Sequence, residues 1–162
     1  LRDSKQLTPR RREELAVRVQ AEATAWAVAQ ASSAEIDRIN IYQASRLAMK
    51  RAVEQLSTTP DFLLVDAIDI DLPVPQRGLI KGDARVRCIA AASILAKVHR
   101  DACMREWSDA YPQYGLARHM GYGTRQHLAA LERFGPTPQH RVTFAPVRRL
   151  LAPRQAEAAL WL

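Results

Sequence analysis

Two aspartates, Asp66 and Asp83, occupy positions at which a carboxylate could bind a metal ion. Each follows a short apolar run, residues 62–65 and 78–81, that is typical of a buried strand. Open α/β sheets build their sites at the edge where strands end. Two carboxylates gathered there would favour a hard divalent cation such as Mg²⁺ or Mn²⁺. The alternative is that both residues only begin turns, as aspartate often does, and position alone favours this alternative.

The other aspartates of this region have simpler explanations. Asp101 lies four residues after Lys97 and four before Arg105. Ordinary i,i+4 ion pairing on a helix explains that spacing, although Asp101 could also support the metal site from behind its ligands. Asp69 and Asp71 lack the glycine and the terminal glutamate of a calcium loop, so we expect them to be solvated loop residues.

The loop of residues 111–123 combines tyrosines, glycines and a histidine. Such a loop can approach a nucleic-acid backbone closely and stack a ring on a sugar or base. A packed surface loop is the alternative. The pairs His140-Arg141 and Arg148-Arg149 could contact phosphates or could simply be solvated surface.

Composition limits the possible classes. The chain has 162 residues, 48% of them hydrophobic, which suits one globular domain. A net charge of +7 favours polyanionic partners, although it would also serve solubility alone. No apolar run is long enough to span a bilayer, and no export leader precedes the first helix. Cys88 and Cys103 fall in one predicted helix about 22 Å apart, so they should be free thiols, and a cytoplasmic location is expected.

Hydrophobic periodicity and capping signals predict alternating strands and helices, typical of an α/β layered domain. The longest helix is apolar almost all round in its first half, which predicts a central place in the core. The predicted elements are a helix over 9–23 capped by Thr8, a strand over 26–31, a capping box of Ser32 and Glu35, a helix capped by Asn40 with Ile41 and Ala44 on its apolar face, a strand over 62–65 buried on both faces, a loop over 72–77, a strand over 78–81, a helix over 86–110, a helix capped by Thr124 and ending at Phe134, and a final short helix.

A series of short motifs resembles one family, in that family's order. Any one of them would be weak, but so many in sequence are specific. They are Asp3-Ser4-Lys5, Glu35-Ile36-Asp37 with Asn40-Ile41 and Ala48-Met49, Val65-Asp66, Lys81-Gly82-Asp83, Ala90 to Ile94 with Ala96-Lys97-Val98 and Arg100-Asp101, His119 with Gly121-Tyr122-Gly123-Thr124 and His127, and Gly135-Pro136-Thr137-Pro138 with His140-Arg141 and Phe144. From its first residues to about Arg149 the chain is similar to ribonuclease HII.

The resemblance implies a ribonuclease H-like fold, a mixed sheet flanked by helices, with a C-terminal helical region. Residues 1–150 would form the catalytic domain and residues 151–162 a tail. In the family four carboxylates hold two metal ions, Mn²⁺ or Mg²⁺, and two of the four match Asp66 and Asp83. The tyrosine that senses the RNA–DNA junction matches Tyr122, and Ser4, Lys5 and Arg141 would contact the substrate backbone.

One departure from the family is serious. The Asp-Glu-x-Gly-Arg-Gly motif, which supplies the other two carboxylates, occurs nowhere in the chain. By the family's layout we expect it upstream of Leu1, together with the first two strands of the sheet. The chain as printed should then be inactive and poorly soluble, with the apolar helix from Val86 exposed. Smaller departures are Gln6, Ala84 and Met120, where the family commonly has Lys, Ser and Lys.

The resemblance predicts endonucleolytic hydrolysis by a two-metal mechanism. The substrates would be RNA/DNA hybrids and DNA duplexes containing ribonucleotides, cut on the 5′ side of a ribonucleotide to leave a 3′-hydroxyl and a 5′-phosphate. We expect a monomer without membrane partners. The alternative is a truncated, non-catalytic remnant that binds hybrid duplexes without metal. A different metal-dependent nuclease on the same fold is disfavoured by the Gly121-Tyr122-Gly123 loop.

Overall fold

The structure, a computed structural model, describes residues 4–152, except for the side chain of Lys5. The predicted tail therefore lies almost wholly outside the described residues, as does Asp3. The elements in chain order are a 3₁₀ turn at Ser4–Gln6, α1 (Pro9–Glu22), α2 (Ser33–Glu54), β1 (Leu63–Asp66), β2 (Gln76–Leu79), α3 (Gly82–Arg85), α4 (Arg87–Ala110), a 3₁₀ turn at Pro112–Tyr114, α5 (Leu116–His119), α6 (Arg125–Phe134) and α7 (Ala145–Leu151).

The helix starts follow the capping signals of the sequence. The Thr8 hydroxyl accepts a hydrogen bond from the backbone N–H of Arg11, and Thr124 does the same for His127. Ser32 and Glu35 form the predicted capping box, since the Glu35 carboxylate accepts from the Ser32 N–H at 2.8 Å and the Glu35 N–H donates to the Ser32 hydroxyl at 3.2 Å. These three predictions are confirmed because a cap depends on side chains close in sequence.

A break divides α2 at the residue that was expected to begin its second part. Asn40 has φ 66° and ψ 166°, outside the helical region. Ala44 is buried as predicted, but Ile41 is 56% exposed. The prediction that Ile41 lies on the apolar face is therefore wrong, because it immediately follows the break.

The described sheet is a parallel pair in which Leu63 lies opposite Gln76 and Asp66 opposite Leu79. The Gln76 side chain braces the connection between the strands: its amide donates to the carbonyl of Ile70 and its oxygen accepts from the Ile70 N–H, both at 2.7 Å. The second strand covers Gln76–Leu79 instead of the predicted 78–81, so residues 76–77 are strand rather than loop and the strand ends earlier than predicted. Pro75 lies just before the strand, where it needs no ladder N–H.

Two other strand predictions are wrong in the described structure. Residues 26–31 form no ladder; Val28 packs into a hydrophobic cluster, and the Gln30 carbonyl accepts from the Arg51 guanidinium at 3.1 Å. The strand expected to be buried on both faces is buried on one: Leu63 and Val65 are buried, whereas Leu64 is 40% exposed. The described residues cover only one face of β1.

The described residues form two compact units. The first comprises the residues up to Ala31 together with Tyr42–Cys103, and the second comprises Ser32–Ile41 and the residues from Met104 onward. Among the described residues, no helix has the length and apolar character required to cross a bilayer.

Two hydrophobic clusters stabilise the first unit. In one, residues of α1 pack on residues of α4, and in the other, the buried face of β1 packs on α2. Their buried members are Leu15, Ala16, Ile94 and Leu95 in the first cluster and Leu63, Val65 and Ile70 in the second. The core role predicted for α4 holds for one side of the helix only, because Cys88, Ala92 and Ala96, spaced four residues apart, are exposed.

The second unit has its own core around Tyr114, which is 1% exposed. Leu116, Ala130, Leu131 and Val147 complete this core, so the loop predicted over 111–123 is held to α6 and α7 by packing. Two short helical turns, Pro112–Tyr114 and α5, lie within that loop. The backbone is thereby fixed on either side of the Gly121-Tyr122-Gly123 segment.

A buried ion network joins α1 to α4 in the first unit. The Asp101 carboxylate accepts from the Arg12 guanidinium at 3.3 Å and from the Lys97 ammonium at 2.5 Å. Arg12 also donates to the carbonyls of Ser4 and Leu7, at 3.1 Å and 2.6 Å. This arginine therefore satisfies the backbone of the segment that precedes α1.

Replacement of Arg12 by alanine should destabilise the protein strongly. It would remove one of the two cations that neutralise Asp101 and would leave two carbonyls without their donor, so we expect the free energy of unfolding to fall by about 3 kcal/mol. Arg18→Ala on the same helix is the matched control, because the Arg18–Glu22 pair is exposed and should contribute less than about 1 kcal/mol. Urea unfolding measures both; equal losses would contradict the structural role of Arg12.

Candidate functional site

The predicted ligands Asp66 and Asp83 lie at the same end of the parallel pair. Asp66 is the last residue of β1, while β2 ends at Leu79 and the chain turns into α3, whose second residue is Asp83. The Asp66 Oδ1 atom accepts a hydrogen bond from the backbone N–H of Gly82 at 2.8 Å. This bond fixes the end of β1 to the residue next to Asp83, and both aspartates are partly exposed.

Gly82 occupies a place with no room for a side chain. A Cβ atom there would be 2.6 Å from Cδ1 of Ile89 and 3.4 Å from Oδ1 of Asp66. Because Ile89 is buried at the start of α4, glycine is what allows α3 to approach β1 this closely.

The backbone beside both aspartates is strained. Ala67, directly after Asp66, has φ 62°, and Lys81, two residues before Asp83, has φ 55°. Non-glycine residues rarely adopt this left-handed region, and such strain tends to collect at functional sites. The Ala67 N–H still donates to the Leu79 carbonyl at 3.1 Å, so the ladder supports the strained residue.

The two carboxylates fit a hard cation but form an incomplete set. Among residues 4–152, no side chain donates a hydrogen bond to the Asp83 carboxylate, and Asp66 uses one oxygen for Gly82. Unclaimed carboxylate oxygens are the donors that Mg²⁺ and Mn²⁺ prefer. Within that same described part, however, no group of three or more His, Cys, Asp or Glu residues could hold a metal ion. Further ligands would have to join Asp66 and Asp83.

Asp69, Asp71 and Asp101, also in the first unit, are either exposed or engaged in ion pairs. Asp101 makes the predicted helical pair with Lys97 and, in addition, the buried pair with Arg12. Asp69 and Asp71 are exposed, as expected, and Asp71 pairs with Lys50 at 3.1 Å.

Of the two residues near the N-terminus that were predicted to contact the substrate backbone, the structure describes the side chain of Ser4. Ser4 is 4% exposed, and its hydroxyl shares a hydrogen bond with that of Ser93 at 2.7 Å. The side chain of Lys5 lies outside the described residues. Sequence reasoning missed the Ser4–Ser93 bond because 89 residues separate the partners.

In the second unit, Tyr122 projects from a tightly bonded turn, and 61% of its surface is exposed. Its N–H donates to the His119 carbonyl at 2.9 Å, and its own carbonyl accepts from the Thr124 N–H at 2.7 Å. Met120 and Gly121 both have positive φ, 48° and 75°. An exposed ring on a fixed backbone suits stacking on a flat ligand.

Arg141 lies on a segment held by Asp37. The Asp37 carboxylate accepts from the N–H of Val142 at 2.7 Å, from the N–H of Thr143 at 3.0 Å, and from the Thr143 hydroxyl. Burial alone would raise the pKa of Asp37, but these hydrogen bonds and the charge of Arg141 outweigh it and lower the pKa. Arg141 itself lies over the Phe144 ring, 5.1 Å from its centroid. No role was predicted for Asp37 from the sequence, although Asp37 lies in the Glu35-Ile36-Asp37 motif.

Three histidine rings lie close together next to the Tyr122 turn. The rings of His119 and His127 stack with centroids 4.7 Å apart, and Nε2 of His127 is 3.1 Å from Nε2 of His140. Burial is the main cause that lowers the pKa of His127 and of His140. His140 had been considered as a phosphate contact, but it is partly buried and bonded to Thr137.

The chain is similar to proteins of one family along nearly all of its length. A family model described as Ribonuclease HII matches residues 1–147. Curated relatives named ribonuclease HII include those of Solibacter usitatus, 60% identical over 91% of this chain, and Geobacillus kaustophilus, 55% identical over 93%. The chain spans 65% and 58% of the lengths of these two relatives.

A solved structure supports the same fold. The ribonuclease H2 from Pyrococcus horikoshii superposes with a TM-score of 0.76, over 91% of this chain and 78% of that one, at 23% sequence identity. The α/β fold with ribonuclease H-like architecture, expected from the motifs, is thereby confirmed.

The fit around Gly82 can be tested with two glycine substitutions. Gly82→Ala should lower the free energy of unfolding by about 1–3 kcal/mol, because the added methyl group overlaps Ile89 and crowds Asp66. Gly123→Ala is the matched control, since a Cβ there meets nothing within 4 Å, and its effect should stay within about 0.5 kcal/mol. Thermal and urea unfolding measure both; a neutral Gly82→Ala variant would show that α3 is loosely packed.

Proposed function

Because the chain belongs to the ribonuclease HII family, we propose that its protein hydrolyses RNA within RNA/DNA hybrids and at ribonucleotides embedded in DNA. The observation that carries this proposal is the convergence of Asp66 and Asp83 at one end of the parallel pair, joined through Gly82. The net charge of +7 agrees with a polyanionic substrate.

In this proposal Asp66 and Asp83 hold divalent cations, Mg²⁺ or Mn²⁺, together with further carboxylates. Bound cations of this kind supply an activated water and stabilise the leaving 3′ oxygen, which yields a 5′-phosphate and a 3′-hydroxyl. The chain's own contribution is orientation: Gly82 fixes one Asp66 oxygen, so the other can face a ligand. Two carboxylates are too few to hold two ions, so cleavage should require that further ligands join Asp66 and Asp83.

Tyr122 and Arg141 would recognise the duplex in this proposal. The exposed Tyr122 ring can pack on the deoxyribose that follows a ribonucleotide, and Arg141 can contact a phosphate. Ser4 and Lys5 would contact the sugar-phosphate backbone of the substrate. Since the Ser4 hydroxyl is buried against Ser93, its contact would be made by its backbone.

The metal assignment predicts a loss of cleavage on replacing either aspartate in the full-length protein. Asp66→Asn and Asp83→Asn remove a ligand charge with little change of shape, so cleavage with Mn²⁺ should fall by more than the roughly 10–100-fold that losing an outer-shell partner costs. Asp71→Asn is the matched control, because Asp71 is exposed and pairs only weakly with Lys50. Near-normal cleavage by Asp66→Asn would overturn the assignment.

The duplex-recognition assignment predicts a separate effect of Tyr122. Tyr122→Ala should weaken binding of a duplex containing one ribonucleotide by about tenfold, whereas Tyr122→Phe, which keeps the ring, should stay near the wild type. Tyr42→Ala removes another exposed tyrosine and should have no effect. Fluorescence anisotropy with and without metal also tests the alternative of a non-catalytic hybrid binder, which would bind the duplex but never cut it.

A further inference from the structure

A chain of hydrogen bonds runs from Thr137 to the carbonyl of Tyr122 through two imidazoles. The Thr137 N–H and hydroxyl lie 3.0 Å and 2.8 Å from Nδ1 of His140. The Nε2 atoms of His140 and His127 are 3.1 Å apart, and Nδ1 of His127 is 3.0 Å from the Tyr122 carbonyl oxygen. All of these residues belong to the second unit.

The partners at the two ends fix where each proton lies. A carbonyl only accepts, so Nδ1 of His127 must carry the proton and its Nε2 must accept. The Thr137 N–H only donates, so Nδ1 of His140 must accept and its Nε2 must carry the proton. These two assignments are compatible, because Nε2 of His140 then donates to Nε2 of His127. The chain is complete only when both imidazoles are neutral.

One added proton would break this chain. If His127 were protonated at Nε2, the added N–H would face the N–H of His140. If His140 were protonated at Nδ1, the added N–H would face the Thr137 N–H, and only the Thr137 hydroxyl could accept from it. Two N–H groups facing each other would push the rings apart, and the Nδ1–H of His127, from which the Tyr122 carbonyl accepts, would move with its ring. That carbonyl belongs to the residue assigned to the RNA–DNA junction.

We propose that His127 and His140 are positioning residues, which hold the Tyr122 turn in its binding conformation while both rings are neutral and release it on mild acidification. The proposal rests on the proposed function for the identity of the ligand, a duplex with an RNA–DNA junction. The hydrogen-bond chain itself does not depend on that function.

The surroundings favour the neutral pair. His119 stacks on His127, and the Tyr114 ring lies 5.3 Å from that of His140 and 6.4 Å from that of His127. The Nδ1 atom of His119 is buried without a hydrogen-bond partner among the described residues. None of these rings supplies a negative charge at neutral pH, and Arg141, next in sequence to His140, is a cation engaged with Asp37.

The pH window follows from the direction of the shifts. Burial lowers the pKa of both histidines from the ordinary value of 6.5. Between the lowered folded pKa and 6.5, the unfolded chain binds more protons than the folded one, so folding stability rises with pH there. The stabilisation by the neutral pair is thus fully present above pH 6.5 and is lost as the pH falls below it.

The protonation pattern can be observed directly by ¹⁵N NMR of the full-length protein labelled at histidine. At about pH 7.5 we expect the proton of His127 on Nδ1 and that of His140 on Nε2. On acidification the backbone amides of residues 121–124 should shift together with the two rings. A proton on Nε2 of His127 at neutral pH, or amides that ignore the titration, would overturn the proposal whatever the protein's activity.

Binding of a DNA duplex with a single ribonucleotide, in EDTA so that it is not cut, tests the consequence. Binding by the wild type should weaken about tenfold as the pH is lowered from about 7.5 through the range below 6.5 in which the two imidazoles take up protons. His127→Asn, whose amide can donate near the position of Nδ1 but does not titrate, should keep most of the affinity at neutral pH. Because His140 still titrates in that variant, the pH dependence should be lost only when His140→Asn is added. His127→Ala should bind weakly throughout this pH range.

His99→Ala is the matched control, because His99 lies on α4 in the first unit and should leave the pH dependence unchanged. If the double variant His127→Asn/His140→Asn kept the wild-type pH dependence, the proposal would be wrong. If the wild type bound no such duplex at any pH, the proposed function would fail, and the NMR titration would still decide whether the two histidines hold the Tyr122 turn.

Discussion

The hydrogen bond from the Gly82 N–H to Asp66 sets the geometry on which the candidate metal site depends. It forms only because the chain comes closer to Ile89 than any side chain at position 82 would permit. The close approach has a conformational cost, visible as left-handed backbone at Ala67 and Lys81. That cost is borne by neighbouring interactions: the ladder continues through Ala67, and Gln76 braces the connection between the strands. The rigid backbone around Asp66 and Gly82 is therefore part of the candidate metal site.

A different physical principle governs the second unit, where no carboxylate touches the histidine pair in the described structure. The conformation there is held by a chain of hydrogen bonds between neutral groups. The Tyr122 carbonyl is the last acceptor of that chain. Asp37 holds the Arg141 segment in place in a different way, as an anion that accepts three hydrogen bonds. One recognition segment is thus held by neutral groups and the other by a charge, so acidification should affect the first at a higher pH than the second.

The sequence predicted what depends on neighbours along the chain. Caps at Thr8 and Thr124 were foreseen because a hydroxyl reaches a backbone N–H three residues away. The long helix α4 was foreseen to within one residue at its start. Contacts between distant segments could not be foreseen: the Arg12–Asp101 pair spans 89 residues, whereas helical spacing pointed to Lys97 and Arg105. The strand predicted over 26–31 failed similarly, since an apolar run becomes a strand only beside a partner.

The aspartates of the chain show why a residue type alone does not identify a ligand. Asp101 is buried with a cation on each oxygen, and Asp37 is occupied by three donors from one loop. Neither has an oxygen to offer an external ion. One oxygen of Asp66 accepts a hydrogen bond from Gly82. The Asp83 carboxylate accepts none from the described part of the chain. Because folding stability is gained by satisfying carboxylates internally, an aspartate that is held in place but left unsatisfied is the one that a cation from solution can use. This combination of fixed backbone and available oxygens distinguishes Asp66 and Asp83 from Asp101, in agreement with the i,i+4 pairing that the sequence indicated for Asp101.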